Sequence, residues 1–442
     1  MDTIVAISTP VGRGGIAVIR LSGNPLPIAL QLFSTAEIEN IADIRPRYMY
    51  LGTIRARGFE DKGYMVYFKS PKSYTGEDVV EFHIHGGVKL AEGVVGECAS
   101  LGARPAERGE FTKRAFLNGK MALSDAEGVI DMINADSEEA VRAAYRVMTG
   151  RLSGAVKLLQ SRLTDIMSGL EAVLDYPDEL EDETLPEAKS ELLKIREELL
   201  TLEKQRAYGK LVKNGIGVVI AGDPNVGKSS LMNAMLGADR AIVSDISGTT
   251  RDYVGESLEY KGKKINLTDT AGIRQTDDNI EKDGVNRSVS IIKQADLVIK
   301  VYDAANRSLL NSALENALKD KKVIEVFNKT DLLKDAPTGG GDKFYVSAKT
   351  GAGIEKLLDK IVEIFEADKT PEGEILTSER HLFAVKTASD KIGEAIGSFD
   401  ETTSDCIIAV LTEAWRALGE ITGETVTEKI IDNIFDKFCV GK

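Results

Sequence analysis

The chain has 442 residues, 43% hydrophobic and 6% aromatic, enough apolar matter for about two to four ordinary cores and too much for wholesale disorder. Its 56 lysines and arginines against 70 aspartates and glutamates give a formal charge of −14, which excludes a broad nucleic-acid-binding surface and confines any RNA contact to a local patch or a partner. No apolar run reaches the roughly 18 residues of a membrane span, the N-terminus MDTIVAISTPVGRGG lacks a basic and then apolar leader, and Cys98, Cys406 and Cys439 are too sparse for a disulfide scaffold. A cytoplasmic, reducing setting with no membrane attachment is expected.

Three textures follow one another along a chain that reads as multidomain α/β. Residues 1–117 carry short β-like runs (TIVAIS, GIAVIRLSG, GYMVYFKS, DVVEFHIHGG) mixed with short helices, an α+β pattern. Residues 118–214 are helical, with apolar residues three and four apart in SDAEGVIDMINADSEEAVRAAYRVM and EAKSELLKIREELLTLEKQRAY; a loop is predicted over the acidic stretch DYPDELEDETLPE. In 215–370 the strands IGVVIAG, KINLTDT, DLVIKVYD and KVIEVFN alternate with helical segments, a βαβ signature for a mostly parallel sheet. Residues 371–442 are helical again and near the size at which a lone core is marginal. They are expected to pack with 118–214 as one helical domain, the α/β unit being an insertion. Near the end of the sequence, Ile430, Ile431, Ile434, Phe435 and Phe438 form one apolar helix face, which delivers Cys439 to a definite place. His83 and His85 alternate on a strand as a metal pair without a third ligand nearby, and ELLKIREELLTLEK reads as bundle core.

The α/β segment carries the chemistry. Residues 222–229, GDPNVGKS, match G-x-x-x-x-G-K-S between an apolar strand and a helix, the context a phosphate loop requires. Asn225, Val226, Gly227, Lys228, Ser229 and Ser230 form the phosphate-contacting run, with Lys228 reaching the β/γ-phosphates and Ser229 ligating Mg2+. Asp269, Thr270, Ala271 and Gly272 end the next strand, where a carboxylate holds the magnesium shell and an N–H senses the γ-phosphate. Asn328, Lys329 and Asp331 belong to NKTD; a carboxylate there accepts from the N1–H and exocyclic amine of guanine, which adenine does not offer. Ser347, Ala348 and Lys349 supply a backbone contact to the base oxygen. Four motifs in this order resemble the translation-factor-related P-loop GTPases.

Hydrolysis needs another explanation. Ile273 follows DTAG where many GTPases place a glutamine, and no arginine stands out as a finger. SDISGTTRD, residues 244–252, reads as the first switch with Thr250 on Mg2+. Asn225, with backbone carbonyls at Ser244 and Ile246, has the oxygens to coordinate a monovalent cation beside the β/γ bridge; as a residue type it is also an ordinary loop asparagine.

With TIVAISTPVGRGGIAVIRLSG, SYTGEDVVEFHIHGG, GEFTKRAFLNGKMALSDAEGVIDMI, LDYPDE, SDISGTTRD and the terminal CVGK included, the whole chain resembles the tRNA-modifying GTPase family MnmE, also called TrmE. The resemblance implies an N-terminal folate-binding and dimerisation domain, a discontinuous helical domain and an inserted G domain. It implies a homodimer that hydrolyses GTP with K+ and Mg2+, the G domains pairing. It also implies a heterotetramer with the FAD-dependent MnmG (GidA), acting on C5 of the tRNA wobble uridine to give aminomethyl or carboxymethylaminomethyl groups. By the same resemblance Asn225, Ser244, Ile246 and Thr249 contact K+, and Glu281 positions the catalytic water. Arg20, Glu81 and Lys120 match the pocket for 5-formyl-tetrahydrofolate or a related one-carbon donor, and Lys442 and Cys439 line the modification site. A Cys439 thiolate would act on uridine C6; the other reading of that residue is a small packed hydrophobe. The alternative for the chain is an Era-like regulatory GTPase of ribosome assembly.

Overall fold

The computed structural model describes residues 2–56, 58–238, 255–270, 288–306, 312–333, 343–366 and 376–442. They fall into two compact units: Met1–Ile130 with Arg146–Leu192 and Asp390–Lys442, and Asp131–Tyr145 with Leu193–Ser389. No helix among the described residues is long and apolar enough to cross a membrane.

The first unit is built on a sheet in the order β3-β4-β5-β6-β2-β1-β7. Its strands are β1 (Ile4–Ile7), β2 (Ile16–Gly23), β3 (Phe33–Ser34), β4 (Met49–Ala56), β5 (Phe59–Phe68), β6 (Asp78–His85) and β7 (Arg104–Pro105). Alternation along the strands sorts the side chains. Val5, Ile19, Leu21, Met65, Val80 and Phe82 face a core shared with the helices Leu26–Leu32 and Val88–Ser100. On the opposite face Ile4 and Ala6 pack on Phe111 and Tyr74. Cys98 belongs to the first core, where burial pushes its thiol up to about 12, so it is an inert packing residue.

The helix Glu110–Leu117 is tied to this sheet by charge. Arg114 reaches Asp2 at 2.7 Å, Glu110 at 2.9 Å and Glu77 at 3.2 Å, while Arg104 reaches Glu110 at 2.6 Å and Asp2 at 2.8 Å. Ser22 Oγ on β2 donates to Glu77 Oε2 at 2.7 Å. Burial alone would raise the Glu110 carboxyl, but Arg104, the Glu107 N–H and Arg114 together hold it below the usual carboxylate range.

In the same unit the helix Arg151–Asp175 packs along Ser404–Thr422. Each presents apolar residues at three- and four-residue spacing, such as Leu152, Val156, Leu159 and Leu163 on the first and Ile407, Leu411, Ala414 and Leu418 on the second. The acidic stretch predicted as a loop is helical: Pro177–Lys204 runs unbroken after a single non-helical residue, Tyr176. Proline suits the first helical position, and Asp178 and Glu179 sit in the first turn, where the helix dipole favours acids. At the other end of this unit, Ile431, Ile434, Phe435 and Phe438 join Leu123 and Ala126 in one core, as the spacing predicts, whereas Ile430 is on the surface.

The second unit contains a sheet in the order β13-β12-β11-β8-β10-β9, parallel except for β9 on β10. Its strands are β8 (Ile216–Gly222), β9 (Glu256–Tyr260), β10 (Lys263–Asp269), β11 (Leu297–Asp303), β12 (Lys322–Asn328) and β13 (Lys343–Tyr345). The helices Lys228–Ala238 and Ile354–Glu366 cover one face through Leu231, Met235, Leu357 and Ile361; Ile292, Ala295 and Leu318 cover the other. Burial on both faces explains the unbroken apolar run of β8; in β11 the buried Lys300 interrupts the run, ion-paired to Glu315. At the N-terminal end of β10, Lys263 is buried, ion-paired to Glu139 and donating to the Tyr208 hydroxyl at 3.1 Å.

Arg114→Met should destabilise the first unit by about 3 kcal/mol at pH 7, because Glu77 and Glu110 would stay buried without the cation they share, Glu110 keeping Arg104. A carboxyl held low in the folded state stabilises above its ordinary pKa and loses that contribution as pH falls through the depressed value. The deficit of the variant should therefore be full near neutral pH and shrink below about pH 4. Chemical unfolding of both proteins at pH 7 and pH 3.5 measures it; a deficit that does not change with pH refutes the ionic account.

A candidate guanine-nucleotide site

The phosphate loop leaves β8 at Gly222 and enters the helix Lys228–Ala238. Gly227 has φ +93°, and a Cβ there would lie 2.4 Å from Asn328 Nδ2, so only glycine fits the cradle. Lys228 is buried, its ammonium donating to the carbonyls of Gly222 at 3.0 Å and Asp223 at 2.8 Å. Burial holds it below the ordinary lysine range, and Asp269 and Asp223 oppose that fall. Val226 is buried beneath the loop, while Asn225, Ser229 and Ser230 are exposed along it. Ser229 Oγ donates to Asp269 Oδ2 at 2.7 Å, which places a hydroxyl and a carboxylate together at the helix N-terminus. Thr270 anchors the end of β10 by donating from Oγ1 to the Ile220 carbonyl at 3.1 Å.

The base end is assembled around Asn328, which is buried. Its amide Nδ2 donates to the Val226 carbonyl at 3.0 Å, and its Oδ1 accepts the Ala348 N–H at 3.0 Å, so one side chain joins the P-loop, NKTD and SAK. Ser347 Oγ donates to Asp331 Oδ1 at 2.6 Å and thereby orients the carboxylate expected to read guanine. Lys329, at φ +66°, donates to the Asn225 carbonyl at 2.7 Å and to Asp303 Oδ2 at 2.8 Å. Lys349 is exposed beside them. No sequence motif marks Asp303 as a site residue. Its only signal was an acid closing the apolar strand LVIKVYD.

Ser244, Ile246, Thr249, Thr250, Ala271, Gly272, Ile273 and Glu281 lie outside the described residues. The cradle of Gly227, the buried ammonium of Lys228 and the Ser229–Asp269 pair fit a nucleoside triphosphate with Mg2+.

In the first unit Arg20 and Glu81 are cross-strand neighbours on β2 and β6, joined at 2.8 Å from Nε to Oε1. The Arg20 guanidinium lies 5.2 Å from the Tyr74 ring centre and 5.7 Å from that of Phe111. His83 Nε2 is 3.3 Å from Glu81 Oε2. Burial pulls the Glu81 carboxyl upward, but His83 and Arg20 leave it below its ordinary value. His85 lies on another carboxylate, Asp61, at 2.7 Å, so the two histidines are engaged separately. Among the described residues no group of three or more His, Cys, Asp or Glu side chains is placed to hold a metal ion. Lys120 Nζ donates to the Pro71 carbonyl at 3.0 Å.

The tail is docked on β1 and its neighbours. Val440 bridges to Arg108, the Gly109 N–H donates to the Cys439 carbonyl at 3.4 Å, and Ser8 Oγ donates to the Gly441 carbonyl at 3.0 Å. Gly441 has φ +95°, and a Cβ there would lie 2.2 Å from the Ile7 carbonyl oxygen. Cys439 is exposed, so burial as a small hydrophobe does not account for it.

Phosphate-binding and base-reading loops on adjacent strand ends of a parallel sheet define a P-loop GTPase domain. The model of the MnmE helical domain matches residues 123–439, and that of the GTP-binding protein TrmE N-terminus matches residues 3–120. The tRNA modification GTPase MnmE of Clostridioides difficile (strain 630) is 38% identical over 456 residues, covering 100% of this chain and 99% of the relative. That of Acetivibrio thermocellus is 38% identical over 455 residues, with the same coverage. Among solved structures, the G domain of the T. maritima FeoB iron transporter is 31% identical, covering 34% of this chain and 97% of that one at a TM-score of 0.25. The chain belongs to the MnmE family of tRNA modification GTPases and is, by class, a GTP hydrolase.

Gly227→Ala should abolish the cradle. The strained φ costs about 1–3 kcal/mol, and the added methyl displaces Asn328 from the loop. Titration with a fluorescent GDP analogue should show affinity at least ~10-fold weaker, the factor equivalent to about 1.4 kcal/mol. Wild-type affinity in this variant excludes the loop as the phosphate site.

Proposed function

We propose that this chain is a potassium-activated GTPase that acts in the cytoplasm with the flavoprotein MnmG (GidA) on C5 of the tRNA wobble uridine, using a tetrahydrofolate one-carbon donor. The observation that carries the reading is the co-occurrence, in one chain, of the guanine-nucleotide site with the Arg20–Glu81 pair and the docked CVGK tail. The homodimer, the heterotetramer with MnmG and the division into residues 1–117, 118–214, 215–370 and 371–442 belong to the same proposal.

Each residue then has a task. Lys228 leaves its two carbonyls for the β/γ-phosphate oxygens, and Asp331 accepts from the guanine edge. Ser229 and Asp269, with Thr250, hold Mg2+, which neutralises charge on the phosphate oxygens. Asn225, Ser244, Ile246 and Thr249 offer oxygens to K+ in the place of an arginine finger, and Glu281 orients water. In the first unit, Glu81 pairs with the amino-amide edge of a pterin, and Lys120 or Lys442 meets the glutamate tail. Cys439, exposed at the docked tail, is in this reading the thiol that attacks the pyrimidine.

GTP turnover should be much faster in KCl than in NaCl at equal ionic strength, by ~10³-fold if the cation replaces an arginine finger. Asn225→Ala should lose most of that difference while still binding GDP. Equal rates in both salts would falsify the potassium reading.

A second test concerns the tail. Gly441→Ala introduces a methyl against the Ile7 carbonyl at a backbone angle that disfavours it, and should undock CVGK. Wobble-uridine modification reconstituted with the flavin partner should fall while GTP turnover persists. Cys439→Ser should lower modification as well, since serine keeps the size but not the accessible anion. Modification at the wild-type rate in both variants removes the tail from the reaction.

A further inference from the structure

The ammonium of Lys329 joins three segments that are far apart in sequence. It stands at one end of NKTD, donates to the carbonyl of Asn225 in the P-loop, and is ion-paired to Asp303 at the end of β11. Both Lys329 and Asn225 sit at φ +66°, a left-handed conformation that non-glycine residues adopt at a cost. Something must hold the two loops in that shape, and the neutral Asn225 carbonyl is a weak anchor for a long, strongly hydrated cation.

Asp303 supplies the anchor. Its Oδ1 accepts the Ala305 N–H at 2.9 Å, so its own turn fixes the carboxylate, and its Oδ2 takes the Lys329 ammonium at 2.8 Å. The Ala304 N–H donates to the Asn328 carbonyl at 2.9 Å, which ties the same turn to the base loop. The carboxylate is 20% and the lysine 33% exposed, so the pair is partly withdrawn from water. Beneath it, Tyr302, Phe327 and Tyr345 stack across β11, β12 and β13, with centroids 5.2 and 5.0 Å apart and planes within 19°. Tyr302 immediately precedes Asp303 and Phe327 immediately precedes Asn328, so the ring ladder packs along the paired strand ends that hold the pair.

We propose that Asp303 is a positioning residue for guanine-nucleotide binding, holding Lys329 across the P-loop so that the base-reading and phosphate-binding loops move as one body. The proposal rests on the guanine-nucleotide reading of the site. A preordered lysine spares the nucleotide the entropy of fixing a flexible side chain. Without the carboxylate the ammonium returns to water, and Asn225 and Lys329 lose the contact that holds their strained backbones together. The salt-linked position of Asp303, whose carboxyl Lys329 holds low, agrees with this arrangement.

The test is the dissociation rate of fluorescent GDP from the full chain, measured by stopped flow. Asp303→Ala should release GDP about 5- to 10-fold faster, in the range of coupling between directly contacting groups, and Asp303→Glu should recover part of the loss. Lys329→Ala should also release faster, and the double variant should be no worse than Lys329→Ala, because Asp303 acts through that lysine. Should Asp303→Ala fail to fold, Asp303→Asn serves in its place, since an amide oxygen still accepts from Ala305 while the charge is gone. A wild-type rate in the Asp303 variants, or effects that multiply in the double variant, overturns the proposal. Asp331→Asn separates this failure from failure of the site: it should shift preference toward xanthine nucleotides, and absence of that shift refutes the guanine reading itself.

Discussion

Parallel strand pairing is the constraint on which the nucleotide site depends. In register, Asp269 lies beside Ile220, Val301 beside Gly222 and Asp303 beside Asn328. The C-terminal ends of β8, β10, β11 and β12 therefore meet along one edge, and the loops they carry are neighbours without further design. On β10 and β12 buried residues alternate with less buried ones, so a slip of one residue would expose buried side chains and misplace Asp269 and Asn328 together. Stability and ligand geometry are set by the same pairing.

Polar side chains refine what the sheet brings together. Asn328 is buried with both ends of its amide engaged, one in the P-loop and one in SAK. A buried amide left half-paired would be costly, so the three loops hold one another in place. Lys228 rests on P-loop carbonyls within reach of the phosphates it is expected to meet, and Ser229 and Asp269 are already in contact.

The first unit uses charge differently. Arg114 and Arg104 gather Asp2, Glu77 and Glu110 and fasten the helix Glu110–Leu117 over the sheet face that carries Arg20 and Glu81. That helix supplies Phe111 beside Arg20, and the loop leading into it supplies Arg108 to the tail. A single ionic cluster thus positions both halves of the proposed modification site. The tail is held by backbone contacts and by the absence of a side chain at Gly441, a kind of complementarity that depends on shape rather than sequence character.

Much of this was legible in the chain itself. The P-loop, DTAG, NKTD and SAK announce their roles because phosphate and guanine impose residue types at fixed spacing, and apolar periodicity marked the buried positions Ile431, Ile434 and Phe435. The acidic stretch after Tyr176 was misread as a loop because charge and two prolines outweigh helix signals in a local reading; Pro177 in fact begins the helix. Arg114 and Lys263 carried no signal at all, being ordinary charged residues in a helix and a strand, and Asp303 only that of an acid closing a strand. Their roles come from partners far away in sequence: Lys329 for Asp303, Asp2 and Glu77 for Arg114, Glu139 and Tyr208 for Lys263. The sequence by itself determined which chemistry the loops can perform, because that depends on residue type and local spacing. Only the tertiary structure decided which cations are paired and where the tail lies, because an ion pair or a close backbone approach exists only once folding has brought distant segments within a few ångströms.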